Sequence, residues 1–597
     1  MEAEMAGRRM IHVIADNITS PLGLTTEANL RRVSAGDSAL CRHEDAWRLP
    51  EPFVASLFTE EQWAELRVEG LSRFESLVYA SVREALTHTS EDVLTARTCL
   101  VLSTTKANVE RISDEGYDEA MPAEAAERIS RKLGLREKPI VVCNACISGV
   151  SAQVLAKRLM DAGYYDYVIV SGCDVQSRFI VSGFQSLKAT SDSECRPFDI
   201  ERLGLNLGEA ASTIVFSARQ GDASHWHLQA AAVSNDAVHI TNPSPKGVGC
   251  AAVLGDVLEG WDKERLALLN VHGTATMYND QMESKAIESA GLSAVSTNAL
   301  KGYYGHTMGA AGVMETVFSL HSVDHGLIVG TRGFEELGVS GKVRISKEAQ
   351  PVEEGDVIKM ISGFGGCNGA VLYTKKPQAA AVQSAENEGK AQSAESENQV
   401  QSAEKEGKVP YRTTHTVRIT ADSIILDGKA VETEGSGKAL LTCAYKKYVG
   451  DYPKFYKMDV LGKVGFVATE LLLQKEGRER FQECNDRAVV LMNHSSSLCA
   501  DREYQESISS EEEFYPSPSV FVYTLPNIVT GEIAIRNKYQ GETSFYILGE
   551  KDKLQMQQII EASFLAPHTQ SMLAGWIDAN GKDSFEAEIS IMEKENY

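Results

Sequence analysis

Residues 139–159 read PIVVCNACISGVSAQVLAKRL. Ile140–Val142 is a β-branched, wholly apolar run, the signature of a buried strand that ends near Cys143. A tight turn follows, and a helix starts close to Cys146. That helix carries Val150, Val154, Leu155 and Leu159 on one face and closes at Gly163 before a second apolar run, Val168-Ile169-Val170. Strand, helix, strand in that order predicts a parallel, buried sheet, and Leu100-Val101-Leu102 reads as a further strand of it.

A cysteine at a helix N-terminus lies at the positive end of the helix dipole, which lowers its pKa and favours the thiolate. The amide N–H groups left free by the first turn can bind a developing oxyanion. Ser148-Gly149 lets the backbone pack closely at the elbow. A buried structural cysteine fits the same context, and both readings stand at this point. Cys143 and Cys146 also form a C-x-x-C. A redox pair exposes its first cysteine, whereas Cys143 continues a buried strand, and no second C-x-x-C or nearby histidine pair completes a zinc set.

The chain of 597 residues is too long for one core, so at least two domains are expected. It is 43% hydrophobic and 24% charged, ordinary values for a globular protein. The net charge of −24 argues against nucleic acid as a partner. Eleven cysteines, an odd number, read as reduced thiols rather than a disulfide framework. The first residues lack the apolar core of a signal peptide, and no apolar stretch is long enough for a membrane span. A cytoplasmic protein is expected.

From Val382 the chain reads VQSAENEGK, AQSAESENQ, VQSAEKEGK, a nine-residue unit repeated to Lys408 without an aromatic residue, leucine or isoleucine. Such a segment cannot bury enough apolar surface to offset its ordering entropy, so residues 377–410 are expected to be a disordered linker. It divides a block at 1–376 from a block at 411–597. The second block repeats part of the first. At an offset of 390, Leu71 meets Leu461, Arg97 meets Arg487, and Leu100–Leu102 meets Val490–Met492; at 404, Ile129 meets Ile533 and Asp174 meets Asp578. Two colinear stretches with one gap suggest a half-length duplicate.

Two further loops carry histidine. In LLNVHGTATMYNDQMES an apolar strand delivers His272 to its C-terminal end, where active sites of α/β sheets collect. Thr274 and Thr276 offer hydroxyls, and Asp280 and Glu283 are placed to tie down the loop. In KGYYGHTMGAAG, His306 follows Lys301 and precedes a small-residue helix. A lone histidine is more often structural, but two in Gly-Thr loops at strand-to-helix junctions point to a site. Phe364 sits among Gly363, Gly365 and Gly366, which permit an unusual backbone path or close approach to a ligand.

Together CNACISG, GFQSLKAT, CRPFD, HGTATMYND, KGYYGHTMGAAG and GFGGCNGA resemble, in order, the signatures of the β-ketoacyl-[acyl-carrier-protein] synthases, over residues 10 to 376. The resemblance implies an α/β, thiolase-like fold, a five-layered αβαβα sandwich, usually dimeric, with a smaller half-thiolase-like α/β domain after it. By motif, Cys146 would accept the acyl group, and His272 and His306 would bind and decarboxylate a malonyl thioester. Lys301 would support the histidines, and Thr274 and Thr276 would bind the pantetheine arm. Phe364 would be a gatekeeper beside Gly365, its N–H joining that of Cys146 in an oxyanion hole. No metal or organic cofactor is implied beyond the 4'-phosphopantetheine arm of a partner acyl carrier protein.

The second block resembles the N-terminal half of a chain-length factor, an inactive relative that pairs with the active subunit. IVTGEIAIRNKYQGETSFYIL, residues 528–548, looks like the approach to the elbow, and Glu550 falls opposite Cys146 as a degenerate nucleophile position. Nothing in this block matches His272, Lys301, His306 or Phe364. The implied function is 3-oxoacyl-[acyl-carrier-protein] synthesis in polyketide or aryl-polyene-type elongation, the two blocks pairing within a chain or between chains. Fatty-acid elongation is the alternative, and a non-catalytic scaffold of the same fold a third reading.

Overall fold

The computed structural model describes residues 9–44, 46–90, 92–112, 119–219, 226–377, 409–509 and 514–595. The nine-residue repeats lie outside the described residues. The first sheet is built from β1 (His12–Thr19), β2 (Thr98–Ser103), β3 (Ile140–Val142), β4 (Tyr167–Asp174) and β5 (Ala210–Ser217), in spatial order β3-β2-β4-β5-β1. β2, β3 and β4 are parallel, as the strand–helix–strand pattern predicts. Helix α1 (Arg73–Leu86) covers the outer face, and α2 (Ser148–Asp161) the inner. Ser72 starts α1 through a capping box: its side chain accepts from the Glu75 N–H, and the Glu75 carboxylate accepts from the Ser72 N–H.

A second sheet repeats that order: β6 (His227–Asn235), β7 (Leu266–Asn270), β8 (Ser296–Asn298), β9 (Asp356–Gly363) and β10 (Cys367–Thr374) lie as β8-β7-β9-β10-β6. Helices α3 (Val248–Val257) and α4 (Met277–Ser289) cover its outer side, and α5 (Ala311–Asp324) lies against α2 between the sheets. The result is the five-layered αβαβα sandwich. The central helices cross at backbone contact. A Cβ on Gly149 would meet the Val313 nitrogen at 2.8 Å, and one on Gly312 the Val150 nitrogen at 2.5 Å.

Residues 409–595 form a third sheet of the same design. β11 (Tyr411–Thr420), β12 (Arg487–Asn493), β13 (Thr543–Ile547), β14 (Ser571–Gly581) and β15 (Ser584–Lys594) lie as β13-β12-β14-β15-β11. Helix α6 (Val460–Glu476) packs on one face, with α7 (Leu498–Ser507) and α8 (Ile528–Asn537) beside it. Helix α9 (Lys553–Ser563) packs on the other face and reaches α2. β13 pairs antiparallel with β3, Tyr546 opposite Val142 and Ile547 opposite Val141, so the first and third sheets run on as one across the junction. Tyr546 is itself the counterpart of Val142 at an offset of 404, which puts a pseudo-two-fold axis at this pair.

The earlier stretch of the repeat needs a correction of one residue. Thr98 pairs with Tyr167 as Arg487 pairs with Ser571, and Val101 with Ile140 as Val490 with Ser544. Val101, not Leu100, therefore corresponds to Val490. A one-residue slip moves every side chain to the opposite face of a strand. In the corrected register Leu100, Leu102, Val489 and Leu491 share one core cluster, and Val101 and Val490 share the other.

Candidate active site

Cys146 lies in the short turn of helix at Ala145–Ile147 that leads into α2. Its predecessor, Ala145, holds a left-handed φ of 48°. Ala275, in the His272 loop, and Met308, after His306, do the same, at 61° and 51°. Non-glycine residues rarely adopt this conformation, and such strain concentrates where side chains are held for function. These three loops meet between the sheets: Cys146, His272 and His306 each offer a sulfur or ring nitrogen within 4.8 Å of the other two. The imidazoles stand edge to face with centroids 4.9 Å apart, and all three side chains are buried.

The electrostatics correct one expectation. Burial pushes the Cys146 thiol up to about 12, against the lowering influence of Lys301 and of the Cys146 and Phe364 backbone N–H groups. Desolvation of an anion outweighs the helix terminus here, so the resting sulfur is a thiol and not the expected thiolate. Two backbone N–H groups, those of Cys146 and Phe364, thus face the sulfur. Burial, reinforced by Lys301 and other cations, holds both imidazoles well below the usual histidine range, so both are neutral at pH 7.

The Met308 N–H donates to Nδ1 of His306 at 3.2 Å, which leaves the proton of the neutral ring on Nε2. That Nε2 is buried with no hydrogen-bond partner. A cluster of one thiol and two imidazoles could hold a metal ion by distance alone. His306, however, presents an N–H rather than a lone pair, which suits an oxyanion better than a cation. On His272 the buried Nδ1 also has no partner.

Beneath the histidines lies a buried ion network. Nζ of Lys301 donates to the His272 carbonyl at 2.7 Å and to Glu315 at 2.7 Å. Glu315 also takes the Lys359 ammonium, which donates in turn to the Val271 carbonyl at 3.0 Å. Glu283 accepts the N–H groups of His272 and Gly273 at 2.7 and 2.8 Å. Asp280 accepts the N–H of Phe198 at 2.7 Å. Burial raises these carboxyls to about 7 and about 6. Thr274 and Thr276 share a hydroxyl hydrogen bond of 2.9 Å. Sequence reading missed Glu315 and Lys359, although each stands alone among apolar neighbours, in VMETVF and VIKMI.

Phe364 stacks on Phe184 with centroids 6.4 Å apart, and its carbonyl accepts from Asn527 at 2.8 Å. Gly365 adjoins Asn527 and Gly531 of the later residues. Glu550 does not join the site: it is exposed and pairs with Lys138 at 2.7 Å.

Residues 57–220 match the family described as beta-ketoacyl synthase, N-terminal domain, and residues 226–335 the beta-ketoacyl synthase, C-terminal domain. Nodulation protein E of Rhizobium sp. (strain N33) is 29% identical over 228 residues, 36% of this chain and 56% of that protein. The chain thus spans little more than half the length of that relative. 3-oxoacyl-[acyl-carrier-protein] synthase 2 of Rhizobium meliloti (strain 1021) is 26% identical over 419 residues, 62% of this chain and 99% of that protein. A solved structure titled PfaC Keto synthase-Chain length factor superposes on 98% of this chain and 78% of its own, with a TM-score of 0.72 at 13% identity. Among the described residues no helix is long and apolar enough to cross a membrane.

Proposed function

We propose, for a chain that belongs through residues 57–335 to the β-ketoacyl synthase family, that it joins acyl units by decarboxylative Claisen condensation on a carrier protein. The observation that carries the reading is the meeting of Cys146, His272 and His306 under the N–H groups of Cys146 and Phe364. In the first half-reaction the Cys146 sulfur attacks an acyl thioester and releases the carrier thiol. His272, whose Nδ1 is unpartnered, is the base for the thiol proton. In the second, a malonyl thioester loses carbon dioxide, and the enolate oxygen accepts from Nε2–H of His306 and from His272. The carbanion attacks the acyl-Cys146 carbonyl, the oxyanion rests on the two backbone N–H groups, and the sulfur leaves to give a 3-oxoacyl thioester.

Thr274 and Thr276 would hold the carrier's phosphopantetheine arm, and the partner's arm is the prosthetic group this chemistry requires. Residues 1–376 form the catalytic domain in this reading, 377–410 the linker, and 411–597 a chain-length-factor-like half. That half keeps the sheet that pairs with β3, and its Glu550 has no catalytic task. Such a fusion favours polyketide- or polyene-type elongation; fatty-acid elongation remains the second reading, distinguished by products. Mass spectrometry after incubation with acyl-carrier protein should find the acyl adduct on Cys146. The Cys146→Ala variant should fold yet give no 3-oxoacyl product. Normal product from that variant would sink the assignment.

A further inference from the structure

Lys106 belongs to the first block and lies on the loop after β2; its ammonium stands over the Phe179 ring of that block at 5.5 Å, yet the hydrogen bonds it donates go to the second. Nζ donates to Asp501 on α7 at 2.7 Å, to the Ser497 hydroxyl at 3.5 Å and to the Thr524 carbonyl. Lys106 and Asp501 are both buried. A buried ion pair is no guarantee of stability, because desolvation offsets its attraction. What distinguishes this one is where its loop leads. Thr104, Thr105 and Lys106 all converge on Asp174, which is 0% exposed. Its carboxylate accepts from the Thr104 hydroxyl at 2.8 Å, from the Thr105 N–H and hydroxyl at 3.0 Å each, and from the Lys106 N–H at 3.3 Å.

The same carboxylate accepts from the Gly309 N–H at 2.7 Å, three residues beyond His306. The Ser103 hydroxyl donates to the Gly309 carbonyl at 2.9 Å. The loops touch through backbone: a Cβ on Gly309 would lie 2.6 Å from the Thr104 Cα. One residue earlier, the strained Met308 supplies the N–H that sets the tautomer of His306.

We infer that Asp501 is a positioning residue for His306, acting through Lys106, the 104–106 loop and Asp174. The second block thereby sets the direction of the His306 N–H without entering the site. Removing the Asp501 charge leaves a buried ammonium with the neutral Ser497 and Thr524 oxygens but no counter-charge; Lys106 then shifts towards water, and its N–H and those of its neighbours move with it. The inference rests on the reading of His306 as the N–H donor in decarboxylation.

The test uses the full chain and two independent readouts. In Asp501→Asn, amide exchange in the peptide holding Met308 and Gly309 should quicken by about fivefold or more. Single-turnover malonyl decarboxylation should fall by about tenfold while Cys146 acylation stays within about twofold. Asp501→Glu, which keeps the charge, should recover most of both. Asp451→Asn, which breaks the exposed pair with Arg536 in the same block, should change neither. Should Asp501→Asn fail to fold, Ser497→Ala loosens the same ammonium and should show smaller changes of the same sign. Unchanged exchange at 308–309, or an equal fall in both half-reactions with exchange quickened throughout, would overturn the inference. A wild-type chain that cannot decarboxylate malonyl thioesters would instead sink the reading of His306, and the exchange readout would still decide the coupling.

Discussion

Cys146 is held as a thiol by its burial, and in the proposed reaction the same burial lets its two N–H neighbours act on an oxyanion without competition from water. Its reactivity should therefore rise with pH. A raised pKa means that the thiolate fraction at pH 7 is small and grows about tenfold per pH unit until the pKa is approached. Alkylation of Cys146 by iodoacetamide, followed by mass spectrometry, should climb in this way from pH 7 to 9 with no plateau. A plateau below pH 8 would restore the thiolate expected from the helix terminus. In the proposed reaction His306 serves the other half-reaction. His306→Ala removes one donor to the enolate and should slow malonyl decarboxylation by about 10²–10³-fold, while acylation of Cys146 changes little. Single-turnover assays separate the two steps, and the opposite pattern would reverse the roles of the loops.

Cys146 stands in the short turn that leads into α2, and α5 begins five residues after His306. The distance between the Cys146 sulfur and the His306 imidazole is set by how closely these helices pack. Gly149 and Gly312 allow backbone contact where any side chain would intrude. Gly149→Ala should force the helices apart, at about 1–3 kcal/mol of stability by the usual cost of overpacking, and should lower the condensation rate. Thermal unfolding and initial rates measured on one preparation test this together; a variant with wild-type stability would show that the crossing yields easily. Motif spacing made Cys146, His272 and His306 legible because each stands in a short motif between a strand and the helix that follows it. Glu315 and Lys359 escaped because a single charge in an apolar helix or strand gives no period to read.

Across the molecule the two blocks share a continuous sheet and two buried ion pairs, Arg158 with Glu542 at 2.5 Å and Lys106 with Asp501. The side chain of Asn144, two residues before Cys146, accepts from the Phe545 N–H at 2.8 Å. Truncation after Pro377 would leave the β3 edge unpaired and both cations without their carboxylates. An open edge and an exposed apolar face invite self-association. The truncated chain should aggregate or pair with itself, and should lose activity or change its product length. Light scattering and product analysis would show it; a monodisperse monomer with unchanged products would make the second block a passenger.

The order of strand, elbow and helix, the three loops of the site and the duplicated half were all readable in the chain, because each rests on local periodicity or on motifs a few residues long. The register of the duplicate was misjudged by one residue, since sparse identities do not distinguish adjacent alignments, whereas hydrogen-bonded pairing and the two faces of the sheet do. The protonation of Cys146 lay beyond the sequence for a different reason. A helix terminus is a local feature, but desolvation sums over every group that shuts out water, and those groups come from both sheets. The link from Asp501 to Asp174 and Gly309 is likewise invisible in the chain, because folding alone brings residues hundreds of positions apart onto one carboxylate and one ammonium.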